Sequence, residues 1–155
     1  MADNDTQRAL ATNRRARYDY FINETFEAGL VLLGSEIKSA REGRMNIAEG
    51  YVYLKNGEAW LENAHIPQYA PAGEHGQHDP ARPRKLLLRK KQLSHLDDQA
   101  HRNGQTIVPL KVYIKNRVAK LLVGVGKGKR QVDRRNTIKE RDAKREIDRA
   151  MRSKV

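Results

Sequence analysis

The sequence predicts a mainly β domain built from antiparallel strands, and three observations carry that prediction. Two pairs of alternating apolar and polar runs each close on a tight Asn-led turn, at Asn56-Gly57 and at Asn116-Arg117. Asn and Gly accept the positive φ that two-residue hairpin turns demand. The candidate elements run strand, short helix, hairpin, loop, helix, hairpin. That order has no βαβ alternation and argues against a doubly wound parallel sheet. The 155 residues are 38% hydrophobic and 32% charged, enough for one modest core if both ends lie outside it.

Three segments follow. Residues 1–12 are polar and read as a disordered leader. Residues 13–126 form the folded body. Residues 127–155 form a basic tail with twelve Lys/Arg against five Asp/Glu, a surplus of seven in a whole-chain net charge of +12.

Within the body, 18–33 is rich in aromatic and β-branched residues and predicts a long strand or a bent pair, with Gly29 as bend or bulge. Gly34-Ser35 opens a short helix, with Ser35 as N-cap; Ile37, Ala40 and Arg41 follow at helical spacing, and Gly43 ends it in a left-handed cap. Residues 51–64 form the first hairpin. Residues 66–83 hold Pro67, Pro71, Gly73, Gly76, Pro80 and Pro83 and read as a long loop. Residues 84–91 are basic and apolar together. Leu93, Leu96 and Ala100 then recur at three and four residues, which predicts a helix to about Arg102, stopped by Asn103-Gly104. Residues 106–125 form the second hairpin, with Pro109 at an edge or bulge. A small closed β-barrel removes exposed strand edges, and among such barrels the oligonucleotide-binding type fits this size and charge.

The tail has a helix-start signal at Thr137 and Glu140, a favourable Glu140–Lys144 pair, and a thin apolar stripe of Ala143, Ile147, Ala150 and Met151. So narrow a stripe does not hold a free helix, so the tail reads as disordered alone and helical on a polyanionic partner.

The chemistry points to binding. No serine (Ser35, Ser39, Ser94, Ser153) sits in a nucleophile motif. His75, His78 and Asp79 have no fourth ligand nearby, so a polar loop is favoured over a metal site or a nuclease centre. Asp97-Asp98 with His101 reads as a solvated helix face. Gly124–Lys129 lacks the Ser/Thr and the following apolar helix of a phosphate loop, and reads as a glycine-rich basic turn able to approach a phosphate backbone. No catalytic residue, metal or cofactor is assigned. The absence of cysteine, of a signal peptide and of a spanning apolar run fits a cytoplasmic chain away from membranes. Basic clusters near Arg14, near Arg84 and after Lys127, with aromatic neighbours Tyr18, Tyr20 and Tyr69, point to RNA.

Long motifs then line up in order: Asn13-Arg-Arg-Ala-Arg-Tyr-Asp-Tyr-Phe-Ile, Phe26-Glu-Ala-Gly-Leu, Gly34-Ser-Glu-Ile-Lys-Ser, Asp79-Pro-Ala-Arg-Pro-Arg-Lys-Leu-Leu-Leu, Lys127-Gly-Lys and Thr137-Ile-Lys-Glu-Arg-Asp-Ala-Lys-Arg-Glu. On them the chain resembles the small protein B family, the SsrA-binding proteins that partner transfer-messenger RNA (tmRNA) in bacterial ribosome rescue. The resemblance implies an oligonucleotide-binding-like barrel with flanking helices. One face would hold the tRNA-like domain of tmRNA at its elbow. The tail would enter the vacant messenger channel of a stalled small subunit and become helical there. The implied RNA-binding positions are Asn13, Glu27 and Leu87, with Arg14, Arg15, Arg17, Tyr18, Lys38, Arg84 and Lys85 around them. Leu87 fits a core position equally well. The implied ribosome-binding tail carries Lys127, Lys129, Arg130, Val132, Asp133, Arg134, Arg135, Lys139, Arg141, Lys144 and Arg145. Implied partners are tmRNA, ribosomal RNA of the small subunit, and elongation factor Tu with the aminoacylated tmRNA. A more general ribosome-associated RNA-binding protein is the alternative. Tyr18 stands where many members carry His, and Val132 where many carry an aromatic or His.

Overall fold

A computed structural model describes residues 9–153. Its strands are β1 (Ala9–Thr12), β2 (Tyr20–Leu30), β3 (Tyr51–Lys55), β4 (Glu58–Glu62), β5 (Arg84–Leu87), β6 (Thr106–Lys115) and β7 (Val118–Gly128). Its helices are the single turn α1 (Ala16–Asp19), α2 (Gly34–Arg41), α3 (Lys90–His101) and α4 (Gln131–Ser153). The strands form one antiparallel sheet in the order β1-β6-β7-β2-β5-β4-β3. The sheet curls until β3 approaches β6, where residues 51–54 and 106–107 line one cleft with no ladder between them.

Both hairpins form on the predicted turns. Asn56 and Gly57 have φ of 54° and 74°, and Asn116 and Arg117 have 51° and 65°. Pro109 sits at a bulge, as expected, where the β6–β7 register shifts between Pro109 and Lys111. The inner face of the sheet buries Ala28, Leu30, Leu61, Leu86, Val112, Leu121 and Val123, with Ile47, Ile66 and Leu96 closing the core. A smaller cluster lies on the opposite face. There Ala16 of α1 packs on Val108 and Leu110, beside Tyr20, Ile22 and Leu122.

Several expectations need correction. The disordered leader does not extend to residue 12: Ala9–Thr12 pairs with β6, and Leu10 is buried in the core. Residues 1–8 of that leader lie outside the described residues. Tyr18 and Asp19 belong to α1 and not to the strand. The β2 irregularity lies between Ile22 and Glu24, not at Gly29. A Cβ on Gly126 would lie 2.0 Å from the Phe21 carbonyl oxygen beside it, so only glycine allows this approach. Gly124–Lys129 is accordingly no loop, because β7 stays paired with β2 through Gly128. Helix α4 begins at Gln131, six residues ahead of the predicted Thr137. The Asp133 carboxylate accepts the Arg130 N–H at 3.2 Å and makes the N-terminal cap. Thr137 instead donates to the Asp133 carbonyl at 3.0 Å from within the helix.

A buried ion cluster ties the connections to the sheet. Glu36 and Arg84 are both 0% exposed, with Nε and Nη2 of Arg84 donating to Oε2 of Glu36 at 2.7 and 2.6 Å. Arg84 also donates to the carbonyls of Ala64 at 2.8 Å and Pro80 at 3.1 Å. Arg82 donates to Oε1 of Glu36, and the same carboxylate accepts the Leu33 N–H at 2.8 Å, capping α2 in place of the expected Ser35. Burial pushes the Glu36 carboxyl up. Hydrogen bonds from Arg82, the Leu33 N–H and Arg84 outweigh it and hold the group below its ordinary value of 4.5.

Arg84→Ala leaves Glu36 uncompensated and should cost about 3–5 kcal/mol in urea unfolding. Because the folded carboxyl titrates below 4.5, its contribution is complete above that pH and is lost as pH falls through the folded value. Unfolding free energy should therefore drop on acidification below about 4.5, and Glu36→Gln should flatten that drop.

Candidate nucleic-acid interface

Strand alternation assigns a second, outward face to the sheet. On β2, Ala28 points into the core, so Glu27 and Gly29 point out. Glu27 lies opposite Leu122, Leu122 opposite Lys111, Tyr113 opposite Lys120, and Gly29 opposite both Lys120 and Leu87. These residues of β6, β7, β2 and β5 therefore share one surface. Leu122 also belongs to the cluster beneath α1. The helix that carries Arg17 and Tyr18, preceded by Arg14 and Arg15, thus stands on the same face as Glu27.

Glu27 is held in place from β6. The Tyr113 hydroxyl donates to its Oε2, and Lys115 Nζ lies 3.5 Å from the same oxygen. The Tyr113 hydrogen bond leads in holding the Glu27 carboxyl below its usual range; partial burial opposes it, and Lys115 and Lys120 add to it. Burial, followed by Glu27, pushes the Tyr113 phenol well above its usual value, so it remains a donor. An ionised, oriented carboxylate only accepts, and its natural partners on RNA are base amino groups and 2′-hydroxyls. Beside it opens a cleft of about 570 Å³ lined by Glu27, Gly29, Leu87, Arg89 and Lys120 among others. Leu87 is 55% exposed there, which places it on the surface and not in the core. A Cβ on Gly29 would lie 3.1 Å from Leu87 Cβ, so the glycine gives Leu87 room.

The remaining expected positions divide. Arg14, Arg15 and Arg17 are exposed, with Arg15 3.5 Å from Glu49. Tyr18 is half-buried. Asn13 is buried and donates to the Pro109 carbonyl at 2.9 Å, fixing the entry to α1. Lys85 lies on the outward face of β5, paired with Glu58 at 3.2 Å. Lys38 stands elsewhere, over the Tyr69 ring at 5.8 Å. Arg84 is withdrawn from the interface altogether, because its guanidinium is the buried partner of Glu36. Lys111, Tyr113, Lys115 and Lys120 were missed by sequence reasoning. Their signal was the every-second-residue spacing of Lys111, Tyr113 and Lys115 along one hairpin strand.

His78 is no metal or nuclease ligand. It is buried, and its Nε2 lies 2.8 Å from the Ile66 carbonyl, which only accepts, so Nε2 carries the proton. Its Nδ1 then accepts from the Ser35 hydroxyl at 2.8 Å, leaving neither nitrogen free.

The tail leaves the sheet at a built junction. Lys129 N–H donates to the Asp19 carbonyl at 2.8 Å, and its ammonium donates to the Arg17 carbonyl at 2.9 Å and to Thr137 Oγ1 at 2.7 Å. The same ammonium lies 4.8 Å from the Phe21 ring centre, and Arg134 reaches Asp19 at 3.5 Å. At this base Arg130 and Val132 are exposed and Asp133 is half-buried; beyond it α4 stands in solvent, with Arg135, Lys139, Arg141, Lys144 and Arg145 exposed. Lys127 is exposed too, but it lies in β7, opposite Phe21.

Tyr113→Phe removes the leading donor to Glu27. The Glu27 carboxyl, followed by NMR through a pH titration, should then titrate closer to the usual glutamate range. An unchanged midpoint would contradict the assignment of Tyr113 as its holder.

Known proteins resemble this chain along almost its whole length. A family model described as SmpB protein matches residues 10–153. An SsrA-binding protein of Shouchella clausii is 52% identical over 155 residues, covering 100% of this chain and 99% of its own. One of Halalkalibacterium halodurans is 53% identical, with 95% of each chain covered. A solved structure described as "tmRNA-SmpB: a journey to the center of the bacterial ribosome" superposes with a TM-score of 0.64 at 44% identity, covering 77% of this chain and 84% of that one. Matched along almost its whole length, and at about half its positions, this chain belongs to the SmpB protein family.

Proposed function

We propose that this chain is a non-enzymatic RNA-binding adaptor of trans-translation. It binds the tRNA-like domain of tmRNA, accompanies it with elongation factor Tu to stalled ribosomes in the cytoplasm, and sends its tail into the vacant messenger channel. The observation that carries this reading is the shared outward face, where α1 with its arginines, the Glu27–Tyr113 pair, Lys120 and exposed Leu87 stand side by side. Lysines and arginines neutralise phosphates there while the carboxylate accepts from base or ribose donors. Asn13, Arg14, Arg15, Arg17, Tyr18, Glu27, Lys85 and Leu87 keep their proposed RNA-facing role, with Asn13 acting through the loop that it orders. We read the curled sheet as a barrel of the oligonucleotide-binding type, closed at the β3–β6 seam by side chains.

The tail is a separate tool. Its surplus of positive charge attracts rRNA phosphate, while its apolar stripe is too narrow to stabilise a helix unaided. Helix α4 therefore represents the tail's partner-bound form, and its body beyond Lys129 and Arg134 is helical only when that charge is neutralised. Val132, 65% exposed on the first turn, makes an apolar contact in this reading and no stacking contact.

Deleting the residues after Val132 should leave tmRNA affinity within about twofold yet abolish peptide tagging on stalled ribosomes. Glu27→Ala should do the reverse, weakening tmRNA binding with the tail intact. Normal tagging by the truncated chain would contradict the division of labour. Binding of bulk tRNA as tightly as tmRNA would favour a general RNA-binding protein instead.

A further inference from the structure

The outward face does not end at Leu87. On β5 the next outward residue is Lys85, which pairs in register with Trp60 of β4, and Trp60 pairs with Tyr53 of β3. Alternation confirms the side, because their neighbours Ala59, Leu61 and Val52 all lie in the core. Trp60 and Tyr53 are half-buried, and with Pro83 and Lys55 they border a hollow of about 350 Å³. Tyr51 continues the aromatic row, its ring 6.3 Å from that of Tyr53. Between this row and Glu27 the surface combines Lys85 with two exposed apolar side chains: Leu87 is 55% exposed, and Val31, whose N–H donates to the Lys85 carbonyl, is 42% exposed. From strand spacing and rise, Trp60 lies on the order of 15 Å from Glu27.

A cross-strand aromatic pair can serve the sheet alone. Here the pair faces away from the core and borders an open hollow. Lys55 lines it and Lys85 stands beside Trp60 on β5, while of the carboxylates on this face Glu58 is engaged by Lys85 at 3.2 Å and Glu62 accepts from the Tyr51 hydroxyl at 3.2 Å. Aromatic faces flanked by lysines are the arrangement that holds unpaired bases by stacking while the cations meet the flanking phosphates. Continuity with the Glu27–Leu87 surface says which polymer arrives there.

We propose that Trp60 and Tyr53 form a stacking platform, which extends the RNA interface across β4 and β3 and takes unpaired bases of the RNA strand that passes Glu27. This rests on the outward face being the RNA interface. The platform reads bases by their π-faces, so it contributes affinity with little sequence preference.

Trp60 is the single tryptophan of the chain, so its emission reports on the platform directly. Full-length protein is titrated with a transcript of the tRNA-like domain, with filter binding run on the same mixtures. The expected result is quenching that saturates together with binding. Trp60→Leu should lose roughly ten- to a hundredfold in affinity, and Trp60→Phe should restore most of it. Emission that stays constant while the transcript binds overturns the platform. So does wild-type affinity in both Trp60→Leu and Tyr53→Leu when Glu27→Ala is impaired; in that case the outward face remains an RNA interface that stops at Leu87. If Glu27→Ala also binds like wild type, the outward face itself is misread and the platform falls with it. Loss of a protein partner in Trp60→Leu with transcript binding intact overturns the proposal as well. Should Trp60→Leu fail to fold by circular dichroism, the quenching of the unmodified chain and Trp60→Phe decide the matter.

Discussion

The ion pair of Glu36 with Arg84 is the constraint on which the rest of the structure depends. Two fully buried charges are tolerable only when each is met by the other and by further hydrogen bonds. Here the guanidinium takes Glu36 and the carbonyls of Ala64 and Pro80, while the carboxylate takes Arg84, Arg82 and the N–H of Leu33, the residue that caps α2. One cluster thus fixes the helix after β2, the end of the first hairpin, the long loop and the start of β5. Ser35 and His78 brace the same junction through Ile66. With the loop pinned on that side, β5 presents Lys85 and Leu87 on the other. The interface is built on the reverse of the clamp.

The two faces of the sheet carry different physics. The inner face is a conventional apolar core. The outer face carries a second small cluster whose purpose is positional: Val108, Leu110 and Leu122 give α1 a seat, and α1 in turn anchors the tail through Lys129 and Arg134. The proposed RNA-facing residues and the tail are therefore joined through four residues of helix rather than a flexible linker. The tail's base is fixed to the element that stands closest to the proposed RNA surface, while its far end lies free of the sheet.

What could be read from the sequence was what local chemistry decides. Asn56-Gly57 and Asn116-Arg117 specify their turns, Pro109 specifies its bulge, and the spacing of Leu93, Leu96 and Ala100 specifies α3. What could not be read depends on distant partners. Strand β1 has one large apolar side chain, Leu10, between two alanines, and it forms by pairing with the edge of β6. Arg84 lies in a basic run and looked like a phosphate ligand; only Glu36, forty-eight positions earlier, makes it a core residue. The helix starts ahead of Thr137 because Asp133, three residues after Arg130, accepts the Arg130 N–H and closes an earlier first turn. Glu27 is singled out by the family resemblance alone, and its holder Tyr113 lies eighty-six positions away and needed the fold to be seen. Likewise, the sequence could list three basic clusters without showing which of them share a face.

In the proposed division of labour, one face of the sheet meets tmRNA while the tail is reserved for the ribosome. Amide and methyl chemical-shift mapping of the full-length chain, titrated with the tRNA-like domain alone, tests it most directly. Shifts should concentrate at α1, at Glu27 and Gly29, at Leu87 and at Lys120, while α2 and the far end of α4 stay where they are. Shifts centred on α4, or on the loop around His78, with the outward face unmoved, would contradict it.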